Sequence, residues 1–320
     1  MLITRKEVAD TQSQSGARRW PADEDTDHQA KLETFQRHRG LLASIAYRML
    51  GSVADAEDML QDTFIRWQAS SDAVESPRAF LITILSRLCI NHLQSARVQR
   101  EEYFGQWLPE PLPTPLGGPF EDIQVDDSLS IAFLAVLERL NPVERAVFLL
   151  REIFEYGYGE IGTILGETEV NCRQILRRAK QRIEEGRLRF AASQQDRLTL
   201  LQRFRNASSQ GDMEGLIALL SHDAALYADG GGKARAVPNP IFGSGNIARF
   251  IKNAPKKLLP ANLVQRLAEI NGQPGIISYA DGDPFSVFTL DVRDGQIQNI
   301  YIISNPEKLR YIPKLPLGLP

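Results

Sequence analysis

The stretch that decides the fold is Tyr158-Gly159-Glu160-Ile161-Gly162-Thr163-Ile164-Leu165-Gly166-Glu167-Thr168-Glu169-Val170-Asn171-Cys172-Arg173-Gln174-Ile175-Leu176-Arg177-Arg178-Ala179. Its first part predicts a short helix that stops at glycine, and Thr168 is an N-cap candidate for the next helix. In that second helix Cys172, Ile175, Leu176, Ala179 and Ile183 recur at i, i+3, i+4, i+7 and i+11, an inner stripe. Asn171, Arg173, Gln174, Arg177 and Arg178 face outward. A short helix, a tight turn and a helix presenting amides and guanidiniums form a helix-turn-helix pattern. Asn, Gln and Arg carry donors and acceptors that match base edges. An ordinary helical hairpin with a polar face fits the same periodicity. Cys172 reads as a small core residue rather than a reactive thiol.

Working upstream, Ile131, Leu134, Ala135, Leu137 and Leu140, then Val143, Val147, Phe148 and Leu150, predict two helices broken at Asn141-Pro142. These complete a helical unit over 128–189. Before it lies a linker, 101–127, with prolines at 109, 111, 113, 115 and 119 and glycines at 117 and 118, a spacing that predicts no regular element. A first helical unit occupies 31–100. Leu41, Leu42, Ile45, Ala46 and Met49 form one apolar face, Gly51-Ser52 stops that helix and caps the next, and Ala56, Met59, Leu60, Phe64 and Trp67 line the inner side of the second. After a loop over 70–76, Pro77 opens a third helix that carries Arg78, Arg87, Arg97 and Arg100, with no acid between Glu75 and Glu101. One sign of charge on a helix attracts phosphate, although a solvated surface helix reads the same way. Residues 1–30 are polar, with acids at 23, 24, 25 and 27, and predict a mobile tail.

Downstream the character changes. Helices with Leu198, Leu201 and Phe204 and with Leu216, Leu219 and Leu220 precede three predicted strands, 275–280, 285–292 and 297–303; Arg293-Asp294-Gly295 signals a hairpin between the last two. The expected architecture is multidomain: two all-α units followed by an α+β domain over 195–309 and a tail over 310–320.

The whole chain has 320 residues, with Lys+Arg 37 against Asp+Glu 40 and a formal charge of −3. This excludes a uniformly basic coat but not local basic surfaces. Two cysteines are too few for a disulfide framework or a zinc cluster. Neither a signal peptide nor a membrane-length apolar run is legible, so a cytoplasmic location without membrane contact is expected.

The run Ala46-Tyr47-Arg48-Met49-Leu50-Gly51-Ser52-Val53-Ala54-Asp55-Ala56-Glu57-Asp58-Met59-Leu60-Gln61-Asp62-Thr63-Phe64-Ile65-Arg66-Trp67, together with Arg139-Leu140-Asn141-Pro142-Val143-Glu144-Arg145 and the helix-turn-helix after it, resembles the bacterial sigma-70 family, specifically its small extracytoplasmic-function (ECF) members. The first segment looks like the one that binds the coiled coil of the RNA polymerase β′ subunit; the second resembles the domain that reads the −35 element. Tyr103-Phe104-Gly105-Gln106-Trp107-Leu108-Pro109-Glu110-Pro111, Asp229-Gly230-Gly231-Gly232-Lys233 and Asn305-Pro306-Glu307-Lys308-Leu309 resemble motifs of a subgroup with an appended SnoaL-like, nuclear-transport-factor-like cone domain.

The resemblance implies partners, core RNA polymerase (β′ and β subunits) and promoter DNA, and it implies no cofactor. It implies core contacts at Asp55, Glu57, Asp58, Gln61 and Asp62, an acidic face suited to a basic groove. Near the −10 element it implies Ser71, Asp72, Arg78, Arg87, Asn91 and Arg97. Asn91 and Gln94 depart from relatives that carry an acid and an Arg there, so −10 preference does not transfer. At the −35 element it implies Thr168, Asn171, Arg173, Gln174, Arg177 and Arg178. Trp107, Leu108, Pro109, Asp229, Gly230, Gly231, Gly232, Lys233, Asn305 and Pro306 are expected to join the domains, so that the appended domain regulates in cis. A small ligand in the cone is a further expectation. Two other readings stay open at this stage: a helix-turn-helix regulator acting without polymerase, and an enzyme fused to a DNA-binding module, for which His222, Asp223, Tyr227, Asp229 and Asp281 are the available groups. His222-Asp223 is expected as a cap and turn after a helix.

Overall fold

The computed structural model describes residues 21–70, 74–101, 103–114, 123, 125–185, 192–253, 260 and 262–315. The first unit packs α1 (Pro21–Leu50), α2 (Val53–Gln68) and α3 (Pro77–Glu101) against one another. Helix α1 begins inside the segment expected as a tail. Proline at a first helical position loses nothing, so the polar composition concealed a helix start. Gly51 (φ 66°) ends α1, and Ser52 caps α2 by accepting a hydrogen bond from the Asp55 N–H at 3.2 Å. The Trp67 indole is buried and donates to the Lys31 carbonyl at 3.0 Å, which fixes α2 against α1.

The second unit comprises a single turn at Asp127–Leu129, α4 (Ile131–Leu137), α5 (Pro142–Phe148) running on into a π-turn at Leu149–Ile153, α6 (Tyr158–Leu165) and α7 (Glu169–Glu185). The expected break falls where Asn141 and Glu144 form a reciprocal capping box, with Pro142 in the first helical position. The two helical units share one core: Leu81, Leu85 and Cys89 of α3 belong with Leu149, Ile161 and Cys172. Helix α3 packs directly on α5 and α6.

The third unit holds α8 (Gln194–Gln210), α9 (Met213–Leu219), β2 (Leu220–Asp229), β3 (Ile241–Phe242), α10 (Ser244–Asn253), β4 (Val264–Ile270), β5 (Gln273–Ala280), β6 (Asp283–Arg293) and β7 (Gln296–Ile303). With Pro113–Thr114 of the linker as β1, the sheet runs β1-β4-β5-β6-β7-β2-β3, with β2 and β7 parallel and its other pairs antiparallel. Strand β1 is Pro113–Thr114, so the linker does contribute a regular element: a two-residue edge strand opposite Ile270 and Glu269. Proline is tolerated there because an edge strand need not donate on both sides. His222 and Asp223 do not form a cap and turn; they lie within β2, where the register shifts between Leu220 and Ala225.

One face of the sheet is covered by the unit's own helices, with Phe204 stacked on Phe288 at 5.3 Å. The other face is covered by residues from outside it: Leu108 of the linker, Ile131 and Ala132 of α4, and Leu309 and Ile312 after β7. Ile312 is buried, so the segment expected as a tail from 310 packs as part of the fold up to Leu315, because an apolar residue there completes the sheet's second face.

All three units and the linker meet at Asn271, in the β4–β5 turn. Asn271 is fully buried at φ 52° and donates from Nδ2 to the Tyr47 hydroxyl (2.7 Å) and the Leu129 carbonyl (2.9 Å). It accepts from the Leu112 N–H at 2.9 Å, and its own N–H reaches the Leu112 carbonyl at 2.7 Å. Replacing it by glycine keeps the left-handed backbone without steric cost and removes only the side-chain bonds. Stranding buried partners costs about 1–3 kcal/mol each. The Leu129 carbonyl and the Leu112 N–H lose their partner while Tyr47 keeps its bond to Glu110, so Asn271→Gly is expected to lower stability by about 2–6 kcal/mol in urea titration, with both helical units loosened together.

Candidate functional site

The surfaces picked out by the sequence fall into four places. On α2, Asp58, Gln61 and Asp62 are exposed. Asp55 pairs with His92 at 3.5 Å, and Glu57 accepts a hydrogen bond from the Tyr311 hydroxyl at 3.0 Å. Burial and the Glu57 carboxylate push the Tyr311 hydroxyl up to about 12. Beside these acids runs a groove between α1 and α2 lined by Leu32, Phe35, Arg39, Leu60, Phe64 and Ile65. Ile65 is 63% exposed. The acids were legible in the sequence; the apolar groove was not, because Phe64 reads as core from its spacing and Ile65 as an isolated surface residue.

On α3, Arg78 and Arg87 are exposed and also reach the second helical unit. The Arg78 guanidinium lies over the Tyr156 ring at 5.4 Å, and an Arg87 nitrogen sits 3.9 Å from where a β-carbon would stand on Gly166. Both partners belong to the second helical unit. Burial, aided by the Arg78 charge, also lowers the His38 pKa below its ordinary value. Asn91 is exposed. Ser71 and Asp72, and the side chain of Arg97, lie outside the described residues.

On α7 the outward face is as expected. The Thr168 hydroxyl accepts from the Asn171 N–H at 3.1 Å and caps the helix. Gln174, Arg177 and Arg178 are exposed. Two side chains are held locally: Asn171 Nδ2 donates to Glu167 at 2.6 Å, and Arg173 pairs with Glu169 while lying over the Tyr158 ring at 5.0 Å. Cys172 is buried in the core, as expected.

The fourth place is where the linker meets the third unit. The Asp229 carboxylate is fully buried. It accepts from the Tyr103 hydroxyl (2.6 Å), the Leu108 N–H (2.8 Å) and the Lys308 ammonium (2.7 Å). The Asp229 carbonyl takes the N–H groups of Ser304 and Asn305, and Asn305 Nδ2 donates to Tyr103. Lys308 also donates to the Leu108 carbonyl and stands over the Trp107 ring at 4.1 Å. Gly230–Lys233 reverses the chain through N–H bonds from Lys233 and Ala234 to the Gly230 carbonyl, and Lys233 pairs with Glu307. Gly231 is required by close approach: a β-carbon there would lie 2.2 Å from Asn305 Nδ2. Gly232 (φ 71°) backs onto Phe104, Pro109 is buried, and Pro306 stays exposed.

The linker also reaches the first unit. Trp107 packs against Gly51, where a β-carbon would stand 2.7 Å from the indole. Glu110 is buried and accepts from the Val53 N–H at 2.6 Å and the Ser52 hydroxyl at 3.3 Å, an external cap for α2. Burial raises the Glu110 pKa above the usual carboxylate value. Tyr47 donates to the Glu110 carbonyl at 2.6 Å. Glu110 and Asn271 were missed by the sequence reading as junction residues.

The groups available for catalysis are not gathered. Asp229 is spent on the linker, Asp281 sits in the β5–β6 turn bonded to Asn262, and Tyr227 stacks on Tyr301 at 5.6 Å. Among the described residues no helix is long and apolar enough to cross a membrane.

Residues 34–98 match the family Sigma-70 region 2, and residues 130–183 match Sigma-70, region 4. The chain is 32% identical over 295 residues to the ECF RNA polymerase sigma factor SigJ of Mycobacterium tuberculosis H37Rv, spanning 88% of this chain and 94% of that one. It is 29% identical over 287 residues to the probable ECF RNA polymerase sigma factor SigI of M. tuberculosis CDC 1551, spanning 89% and 96%. The crystal structure of M. tuberculosis SigJ superposes with a TM-score of 0.71 at 30% identity, covering 90% of this chain and 100% of that one. Two sigma regions in order, a mixed-sheet domain behind them and near-full-length similarity leave neither the polymerase-independent regulator nor the fused enzyme favoured: the chain belongs to the ECF RNA polymerase sigma factors of the sigma-70 family, which direct transcription initiation with core RNA polymerase at promoter DNA.

Proposed function

We propose that this sigma factor is held in a closed form by its third unit and opens on core polymerase. The observation that carries this reading is the buried linker, whose Tyr103, Leu108, Glu110 and Leu112 are bonded to the third unit or to α2. A linker engaged in this way cannot also be extended through polymerase between two promoter elements. The cations of α3 support the same reading, since Arg78 rests on Tyr156 of the other helical unit. The closed and open forms are then a two-state element that polymerase biases by binding only one of them.

In the open form, Asp55, Glu57, Asp58, Gln61 and Asp62, with the α1–α2 groove, dock on the β′ subunit. Ser71, Asp72, Arg78, Arg87, Asn91 and Arg97 serve the −10 region. Thr168, Asn171, Arg173, Gln174, Arg177 and Arg178 serve the −35 element, and the freed linker lies along the β subunit. The factor works in the cytoplasm, where core polymerase is. A small ligand of the third unit would act on the same equilibrium only by binding one form better than the other.

Run-off transcription with core polymerase tests the reading. Asp58→Lys reverses a charge on an exposed docking face, and core retention in a pull-down is expected to fall. Retention equal to wild type would remove the acidic contact. Asp229→Ala removes the buried carboxylate that pairs with the Lys308 ammonium, and breaking comparable buried pairs costs about 3–5 kcal/mol. It is expected to enlarge the radius of gyration in small-angle scattering and to raise transcript yield at limiting core. Unchanged scattering and unchanged output would end the closed-form proposal. Tyr311→Phe removes the hydrogen bond to Glu57 and is expected to tighten core binding about two- to tenfold, the worth of about 0.5–1.5 kcal/mol for one ordinary hydrogen bond. Titration of fluorescent factor with core polymerase measures it.

A further inference from the structure

Helix α7 carries one side chain that the polar reading of its face does not use. Val170 is 62% exposed, and among the described residues of the second unit it is the large apolar side chain left most open to water. Singly exposed apolar residues are ordinary, but this one has a defined company. At i+3, i+4 and i+7 from Val170 stand Arg173, Gln174 and Arg177, so the four share one face of α7. That face begins with an apolar tip, carries a guanidinium and an amide side by side one turn on, and a further guanidinium beyond them. Its floor is rigid: Thr168 caps the helix, Gly166 (φ 74°) makes the turn before it, and Arg173 is held between Glu169 and the Tyr158 ring.

In the major groove each base pair shows a distinct edge, and the one apolar feature among those edges is the C5-methyl group of thymine. The cations further along α7, Arg177, Arg178 and Arg182, match the phosphate strands that flank a groove; Arg182 is tied to Glu144 at 2.7 Å, which orients it. An uncharged apolar side chain ahead of these cations has nothing to gain from phosphate. We infer that Val170 is a specificity-determining residue that packs on a thymine methyl in the upstream promoter element, next to the base pair whose edge Gln174 meets. This rests on the reading of α7 as the helix that enters the −35 element.

The test uses the full chain with core polymerase. An upstream element is first selected from a randomised duplex, and each thymine in it is then replaced in turn by deoxyuridine, which deletes only the methyl group. Wild-type holoenzyme is expected to lose about fourfold in affinity at one thymine, the worth of one methyl withdrawn from water, and to be indifferent at the others. Val170→Ala, which favours the helix and disturbs no core contact, is expected to bind the thymine and deoxyuridine duplexes alike at that position. Indifference of the wild type to deoxyuridine at every position overturns the inference while leaving the reading of α7 intact. So does a loss that persists undiminished in Val170→Ala. Failure of the holoenzyme to select any upstream sequence would remove both the inference and the reading beneath it.

Discussion

The arrangement depends on a carboxylate with no access to water. A carboxylate held away from solvent is tolerable only if its oxygens are fully engaged, and the groups that engage Asp229 come from far apart in the chain: Tyr103 and Leu108 from the linker, Lys308 from the segment after β7. Remove the linker and the carboxylate keeps one cation; remove Lys308 and it keeps two neutral donors. Neither remnant matches what water supplied before folding. The linker is therefore held by a contact that is either complete or unfavourable, which makes its release an all-or-none event rather than a gradual fraying.

The same reasoning extends to the sheet. Its second face is apolar and is covered by Leu108, Ile131 and Ala132 from outside the domain. A domain with one sheet face supplied by others is not independent in the usual sense. In the proposed opening, that face, the stacked Tyr227 and Tyr301 included, must be re-covered or wetted. The proposed switch then needs a partner with a large differential affinity. Moving a two-state equilibrium from 1:99 to 99:1 takes about 5.5 kcal/mol. Nanomolar association supplies about 12 kcal/mol, so a protein partner of that affinity suffices and a weakly held small ligand does not.

How much of this the sequence disclosed follows from the range of the interactions. The helix-turn-helix, the Asn141-Pro142 break and the Gly51-Ser52 stop are written in residues within a turn of each other, and the structure repeats them. The two hairpins at Asn271-Gly272 and Asp281-Gly282 carry the same two-residue signal as Asp294-Gly295, with positive φ at each of these residues; β4, with its weak alternation of Gln265, Leu267 and Glu269, gave no strand pattern to attach the first of them to. Strand β1 is invisible to periodicity because its two residues are regular only through their pairing with Glu269 and Ile270. Glu110 and Asn271 are of the same kind. Each is an unremarkable polar residue in a loop until partners 57 and 224 residues away are known. The motif resemblance pointed to Asp229 and Asn305, but it did not say that Gly231 is there to admit Asn305 and Tyr103.

What the closed form leaves uncovered is as informative as what it hides. Arg78, although exposed, lies over the Tyr156 ring of the second unit and Glu57 is engaged by Tyr311, whereas Gln174, Arg177 and Arg178 on α7 stand open. On the proposed function, control then acts on the distance between the two DNA-binding units and on the docking face, not on the reading surface of α7. That division is physically economical. The contacts α7 makes with base edges require side chains already in place, as the Glu169–Arg173 and Glu167–Asn171 pairs hold them, and a surface that must be rebuilt at each use would lose part of its discrimination to ordering entropy. Spacing, by contrast, is set by the linker and by the core that the two helical units share, and among the described residues the linker's ties to Asp229, Val53 and Asn271 run through buried groups.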